Sequence, residues 1–152
     1  MIGLEQSIVQ EMERHLTPAE FKFVESKLYN YVDNKAVIKA WEQSREDILN
    51  ETPSRDGGMP SGGQVSDPTQ AKAIRLSLLE AKAYREKYWI DAVDGVLELL
   101  DKQDRELVEL KYFSGRKSSN DVLAQLLNMS RSDFYRKRKE IVWRFANRFG
   151  IV

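Results

Sequence analysis

The chain of 152 residues contains no cysteine and a single histidine. Without cysteine it can form neither disulfide bonds nor thiolate metal sites. No apolar run approaches the roughly 18–20 residues that a membrane-spanning helix requires. The N-terminus also lacks the basic region followed by an apolar stretch that marks a signal peptide. We therefore expect a soluble intracellular protein without a membrane partner.

The sequence also lacks the arrangements that carry catalysis. The lone His15 has no serine, cysteine or acidic residue placed to form a triad with it. The segment GGMPSGG has neither the lysine nor the strand–loop–helix context of a phosphate-binding loop. The segment DRELVE is typical of a solvated helix face. We predict that the protein is not an enzyme, with no catalytic residue, no metal site and no cofactor.

Charge is present in both signs but is unevenly distributed. The formal net charge is zero, yet residues 1–100 carry 12 basic and 17 acidic side chains, whereas residues 101–152 carry 12 and 7. Seven of the cations lie between Arg131 and Arg148, where only Asp133 and Glu140 oppose them. Such asymmetry predicts two surfaces with different partners.

Helical periodicity runs through most of the chain, and no window alternates as a strand would. Thr17, Pro18 and Glu20 form a capping-box signal, and an apolar stripe follows as far as Ile48. A shorter helix is predicted at residues 4–15. Four glycines and two prolines make residues 51–67 a flexible loop, after which Asp67 and Pro68 start a helix that continues to about Leu100.

The C-terminal third divides into shorter helices. The segment DKQDRELVELKYF places Leu107, Leu110 and Phe113 on one side, and SGRKSSN is a turn. Ser118 or Ser119 then caps the short helix DVLAQLLNM. Ser130 caps the basic helix that follows, whose residues Phe134, Ile141, Val142 and Phe145 are spaced to pack inward. Gly95 marks a possible bend in the preceding long helix.

Residues 97–146 resemble region four of bacterial sigma factors in the segments LELLDKQDRELVELKYFSG, VLAQLLNMS and RSDFYRKRKEIVWRFA. The order of LYNYVDNKAVIKAWEQSREDIL, the glycine-rich segment ending SDPT, and this C-terminus resembles phage transcriptional regulators of the RinA/ArpU type. The resemblance implies an all-α fold, with long N-terminal helices joined by a Gly/Pro-rich loop and followed by a helix-turn-helix bundle. Residues 1–88 would form the helical oligomerisation or interaction region, and residues 89–152 the DNA-binding domain.

A recognition helix places its N-terminal residues in the major groove, while flanking cations meet phosphates. The expected base contacts come from the first two turns after the Ser130 cap: Arg131, Ser132, Tyr135 and Arg136. The expected phosphate contacts come from the flanking basic and hydroxyl residues: Arg116, Lys117, Ser119, Lys137, Arg138, Lys139 and Arg144. The competing interpretation is that the basic run is an ordinary solvated helix face.

The resemblance implies a sequence-specific DNA-binding transcriptional activator of late phage genes, which include packaging and structural genes. Its expected partners are double-stranded DNA, a second copy in a homodimer or higher homo-oligomer, and host RNA polymerase, in the cytoplasm of a bacterial host. A small terminase subunit, which forms rings on packaging-site DNA, is an alternative function. A further alternative is an adaptor or anti-sigma protein whose basic helix faces an acidic partner.

Overall fold

The computed structural model describes residues 16–51 and 67–152, which form six α-helices and no β-strand. The all-α prediction is therefore confirmed. The predicted helix at 4–15, His15 and residues 52–66 of the predicted loop lie outside the described residues. No helix in the two described ranges is both long and apolar enough to cross a membrane. The helices are α1 (Pro18–Tyr29), α2 (Tyr31–Leu49), α3 (Pro68–Leu99), α4 (Lys102–Val108), α5 (Asn120–Leu126) and α6 (Arg131–Arg148).

The first helix starts where its capping signal predicts. The Thr17 hydroxyl accepts the Glu20 N–H at 3.1 Å, and the Glu20 carboxylate accepts the Thr17 N–H at 3.2 Å. The apolar stripe that continues to Ile48 does not form one helix, because α1 ends at Tyr29 with Asn30 as its C-cap, and α2 begins at Tyr31. In contrast, α3 runs through Gly95 without interruption.

The chain divides into two compact units. The described residues of one, which we call the core unit, are 16–33 and 89–152; those of the other, the hairpin unit, are 34–51 and 67–88. The predicted boundary after residue 88 coincides with the start of the second stretch of the core unit. Helix α1, which we had grouped with the N-terminal region, lies in the core unit because it packs against α6.

Apolar side chains from every helix of the core unit meet in one interior. Its fully buried large side chains are Val24, Leu28, Val93, Leu107, Val108, Leu123, Phe134, Ile141, Val142 and Phe145. Beside this interior, the Trp89 ring lies between those of Phe23 and Phe149, with centroid separations of 5.6 and 5.2 Å. Phe23 of α1 and Phe149, which follows α6, are therefore held against the same ring.

Helix α4 runs on as a π-helical turn over Glu109–Phe113. The sequence predicted one apolar side made of Leu107, Leu110 and Phe113, but only Leu107 is fully buried. Tyr112 is buried instead, and Leu110 and Phe113 are half-buried. A π-turn contains an extra residue, which rotates the side chains that follow relative to an α-helix.

A polar cluster of Glu25, Tyr112 and Arg138 joins α1 to α6 inside the core unit. Arg138 donates to the Glu25 carboxylate through Nε at 3.3 Å and through its terminal nitrogen at 3.0 Å, and Tyr112 donates to it at 2.6 Å. Burial, followed by the Glu25 charge, raises the pKa of Tyr112. Burial alone would lower the pKa of Arg138, but the hydrogen bond and charge of Glu25 more than offset this and raise it.

The hairpin unit consists of the facing parts of α2 and α3. Three ion pairs, Glu42–Lys87, Arg45–Glu80 and Glu51–Arg75, join them in antiparallel order at 2.7–3.2 Å. These pairs are exposed and stabilise the hairpin only weakly. Ile38 is the one buried side chain among the described residues of this unit, whereas Ile74, Leu78 and Tyr84 are more than half exposed. The hairpin therefore presents apolar surface to solvent.

We predict that Glu25→Ala lowers the free energy of unfolding by about 3 kcal/mol, because it leaves the guanidinium of Arg138 partly buried without its carboxylate. Urea denaturation of the purified chain measures the change. Glu98→Ala, which removes an exposed carboxylate from the same unit, is the matched control and should cost less than about 0.5 kcal/mol.

The double variant Glu25→Ala/Arg138→Ala should cost less than the sum of the two single variants, since removing both partners leaves no unpaired charge. A strictly additive result, or a loss below about 1 kcal/mol for Glu25→Ala, would show that this pair does not hold α1 on α6.

Candidate nucleic-acid interface

Helices α5 and α6, with the residues between them, form the segment that the sequence assigns to DNA. A serine caps each helix: Ser119 accepts the Val122 N–H at 3.3 Å, and Ser130 accepts the Asp133 N–H at 3.1 Å. The predicted cap at Ser130 is confirmed, and Ser119 rather than Ser118 caps α5. The capping serines fix where α6 begins and hence which residues occupy its first turns.

The turn between the two helices is closed by the backbone of Asn128. This residue has a φ of 55°, and its N–H donates to the Gln125 carbonyl at 3.1 Å. The Met129 N–H donates to the Ala124 carbonyl at 2.9 Å. This pair of bonds is the Schellman arrangement, in which a residue of left-handed conformation ends a helix and redirects the chain.

The rotation of α6 about its own axis is fixed by its buried side. Phe134, Ile141, Val142 and Phe145 are all fully buried, as their spacing predicted. Leu123 and Ala124 of α5 are buried as well. Because residues on the opposite side of a helix must then face solvent, the structure determines which cations of α6 are displayed.

Three of the four predicted base-contact residues are exposed on the first two turns of α6: Arg131, Ser132 and Arg136. Arg131 lies 3.2 Å from Asp121, and Arg136 lies 3.4 Å from Asp133. Both arginine side chains remain more than half exposed, at 72% and 57%. Exposed ion pairs of this kind contribute little, so either arginine can exchange its carboxylate for another acceptor.

The predicted phosphate-contact residues divide into two groups. Arg116 and Lys117, before α5, and Lys139 and Arg144, on α6, are exposed. Ser119 is exposed too, but its hydroxyl caps α5.

The remaining two cations are directed to carboxylates of the core unit, which corrects our expectation for them. Arg138 is occupied by Glu25, and its side chain is only 20% exposed. Lys137 lies 3.5 Å from Asp104, a side chain that is almost fully buried. A basic residue that neutralises a buried carboxylate supports the fold, and it is not positioned for a phosphate.

A second polar chain, missed by sequence reasoning, reaches the exposed face of α6. Lys111 is buried, and its ammonium donates to the Asn120 side-chain oxygen at 3.0 Å. The Asn120 amide nitrogen donates to the Tyr135 hydroxyl at 3.4 Å. Tyr135 is the fourth predicted base-contact residue, and its side chain is half-buried. No local pattern could reveal this chain, because its members come from three separate elements.

Two pKa values are displaced along this chain. Burial, followed by the neighbouring Arg138 charge, lowers the pKa of Lys111. The hydrogen bond from Asn120, and then that from Arg131, lowers the pKa of Tyr135. The Tyr135 oxygen thus accepts a hydrogen bond from Asn120 of α5.

We predict that Asn128→Ala lowers the free energy of unfolding by about 1 kcal/mol, because alanine resists the left-handed conformation that the turn requires. Asn128→Gly should be close to neutral, since glycine adopts a positive φ without strain. Urea denaturation measures both. Asn147→Ala, an exposed helical asparagine, is the matched control. Equal losses for the alanine and glycine variants would mean that the Asn128 side chain, and not its backbone, stabilises the turn.

No protein-family model, curated protein or solved structure matches this chain. The assignment of function therefore depends on the geometry of α5, the turn at residues 127–130 and α6, and on the resemblance of residues 97–146 described above. The geometry contributes one fact that the resemblance could not: Arg138 is paired with Glu25 inside the core unit, whereas Arg131 and Arg136 are exposed.

Proposed function

We propose that this protein is a sequence-specific, double-stranded DNA-binding transcriptional regulator that activates late genes of a phage. The observation that supports DNA binding is the exposure of Arg131, Ser132 and Arg136 on the first two turns of α6. In this interpretation, α5, the turn and α6 are a helix-turn-helix, with α6 as its recognition helix. The late-gene role follows from the resemblance to RinA/ArpU-type regulators.

Each exposed group has a distinct task in this proposal. Arg131 and Arg136 carry planar guanidinium groups, which can donate two hydrogen bonds to the edge of a guanine. Arg116, Lys117, Lys139 and Arg144 supply cations at the flanks, where they would neutralise phosphates and fix the position of α6 along the groove. Arg138 and Lys137 act indirectly, by holding α6 on the core unit.

Self-association is the second part of the proposal. One recognition helix makes few base contacts, and specific binding by such helices normally uses two of them related by two-fold symmetry. The hairpin unit has exposed Ile74, Leu78 and Tyr84, and a shallow cleft lined in part by Trp41 and Leu79. We propose that these surfaces pair two copies in the bacterial cytoplasm, with host RNA polymerase as a further partner.

We predict that Arg131→Ala and Arg136→Ala each weaken binding to a selected duplex about 5- to 150-fold, because each removes a bidentate base contact worth roughly 1–3 kcal/mol. The duplex is recovered by repeated selection from a random DNA library, and fluorescence anisotropy measures affinity. A scrambled duplex of equal length should lose much less. Arg85→Ala, an exposed arginine of the hairpin unit, is the matched control and should change neither affinity.

The same experiment separates base contacts from phosphate contacts. Arg116→Ala or Lys117→Ala should weaken both duplexes by similar factors and lower the slope of log affinity against log salt by about one unit each. If Arg131→Ala weakens both duplexes equally, α6 binds DNA without distinguishing sequence. If the unaltered protein binds neither duplex at low salt, the adaptor alternative replaces this proposal.

We predict a dimer at micromolar concentration, because burying the apolar surface of the hairpin unit stabilises the paired state. Light scattering coupled to size-exclusion chromatography measures the mass. Leu78→Glu, which places a charge on the exposed apolar surface, should shift the protein toward the monomer, whereas Glu46→Gln on an exposed side of α2 should not. A ring of many copies would favour the terminase alternative, and a stable monomer would remove this part of the proposal.

A further inference from the structure

The orientation of the Asn120 side chain is determined by its buried neighbour. Lys111, as an ammonium group, can only donate hydrogen bonds, so the Asn120 atom 3.0 Å from it is the amide oxygen. The amide nitrogen must then face the other way, toward the Tyr135 hydroxyl at 3.4 Å. The amide nitrogen has two hydrogens to donate and no lone pair available to accept a hydrogen bond. Asn120 can therefore donate to Tyr135 and cannot accept from it.

The Tyr135 oxygen consequently accepts a hydrogen bond from the protein. Its hydrogen-bond donor is Asn120 of α5, and the guanidinium carbon of Arg131, one turn earlier on α6, lies 5.6 Å from the centre of the phenol ring. The hydrogen bond from Asn120, followed by the neighbouring Arg131, lowers the pKa of Tyr135, although burial and the nearby Asp121 charge oppose this. A phenol that accepts a hydrogen bond still has one proton to donate, and the Tyr135 hydroxyl donates no hydrogen bond to residues 16–51 and 67–152.

We propose that Lys111 and Asn120 are positioning residues that make Tyr135 a dedicated hydrogen-bond donor to DNA. This inference rests on the proposed function, and it specifies the ligand chemistry of one position in the interface. The acceptor is an oxygen or nitrogen atom with a free lone pair, either a phosphate oxygen or a base-edge acceptor in the major groove. Tyr135 lies between Arg131 and Arg136 along α6, so an acceptor bound there is also close to two positive charges.

The hydrogen bond from Asn120 affects how strongly Tyr135 can donate its own proton. A phenol whose oxygen already accepts hydrogen bonds is polarised and donates more strongly, and the fixed amide removes the alternative in which Tyr135 donates its proton to the protein. Lys111 is buried among Tyr29, Tyr112 and the Arg138 charge, so the amide has only one satisfied orientation. The buried Lys111 therefore determines, through Asn120, that the Tyr135 hydroxyl accepts from the protein and keeps its proton for an outside acceptor.

The test is a double-mutant cycle on DNA affinity. Tyr135→Phe removes the hydroxyl and should weaken binding about tenfold. Asn120→Ala releases the phenol and should weaken binding about fivefold. Because Asn120 acts through Tyr135, the double variant should bind no more weakly than Tyr135→Phe alone. Additive losses would mean that Asn120 contacts DNA itself or supports the fold, and would overturn the inference.

Two duplexes identify the acceptor. The probes are fluorescein-labelled duplexes of about 30 base pairs, one recovered by selection and one scrambled, since a site of this length spans two half-sites one turn apart. Equal weakening of both by Tyr135→Phe assigns the acceptor to phosphate. Weakening confined to the selected duplex assigns it to a base edge. If Tyr135→Phe binds both as tightly as the unaltered protein does, Tyr135 donates to neither and the inference is wrong.

A spectroscopic measurement tests the positioning without DNA. The protein is labelled with 13C at the phenol carbon of tyrosine, and the Tyr135 resonance is titrated with base. Asn120→Ala should raise the Tyr135 pKa toward the usual value near 10, because it removes the leading cause of the lowering. An unchanged titration would overturn the role of Asn120, provided that circular dichroism shows the same helix content.

The two proposals fail in different ways. If the unaltered protein binds neither duplex, DNA binding itself is wrong, and the donor role of Tyr135 falls with it. If the unaltered protein binds the selected duplex but the cycle is additive or the titration is unchanged, only the positioning role is wrong. Lys111→Met provides a second check, because it frees the amide to flip and should reproduce the effect of Asn120→Ala on the titration.

Discussion

The contact between Glu25 and Arg138 is the constraint on which the displayed surface depends. It joins residues 113 positions apart, with two hydrogen bonds from the guanidinium and a third from Tyr112 to the same carboxylate. A partly buried carboxylate with three donors tolerates little displacement, because losing one partner exposes it to the cost of an unpaired charge. Helix α1 thus fixes both the position and the rotation of α6.

That constraint divides the cations of α6 by function. Arg138 and Lys137 face carboxylates of the core unit, whereas Arg131 and Arg136 face solvent and have only exposed acidic neighbours. The local excess of positive charge therefore overstates the charge that a ligand would meet. In the proposed function, this division separates residues that position the helix from residues that contact DNA, and it explains why two adjacent cations can have unlike roles.

The π-helical turn after α4 links buried polar groups of the core unit to the exposed face of α6. It places Tyr112 against Glu25 and buries Lys111 beneath Asn120, so that one short segment contributes to both polar chains. Helical periodicity does not distinguish Lys111 and Tyr112 from their neighbours. These two residues nevertheless connect the packing of α1 with the hydroxyl of Tyr135.

Much of the local structure follows from the sequence alone. The caps at Thr17 and Ser130 and the buried stripe of α6 were predictable, because a cap depends on residues within one turn and a stripe depends on helical period. The exposed position of Arg136 followed from that same period, whereas Arg131, the first residue of α6, is exposed although the period aligns it with the buried Val142 and Phe145. The all-α class required nothing beyond these local signals.

The tertiary structure decided where α1 belongs, why Tyr112 is buried, and that Arg138 faces Glu25. Periodicity near Phe113 failed because a π-turn changes the number of residues per turn, and it leaves no clear mark in composition. The partner of Arg138 could not be inferred, since charge pairing across a core depends on which helices pack together. The sequence by itself determined the helices, their ends and the buried side of α6; only packing decided which of its cations remain available.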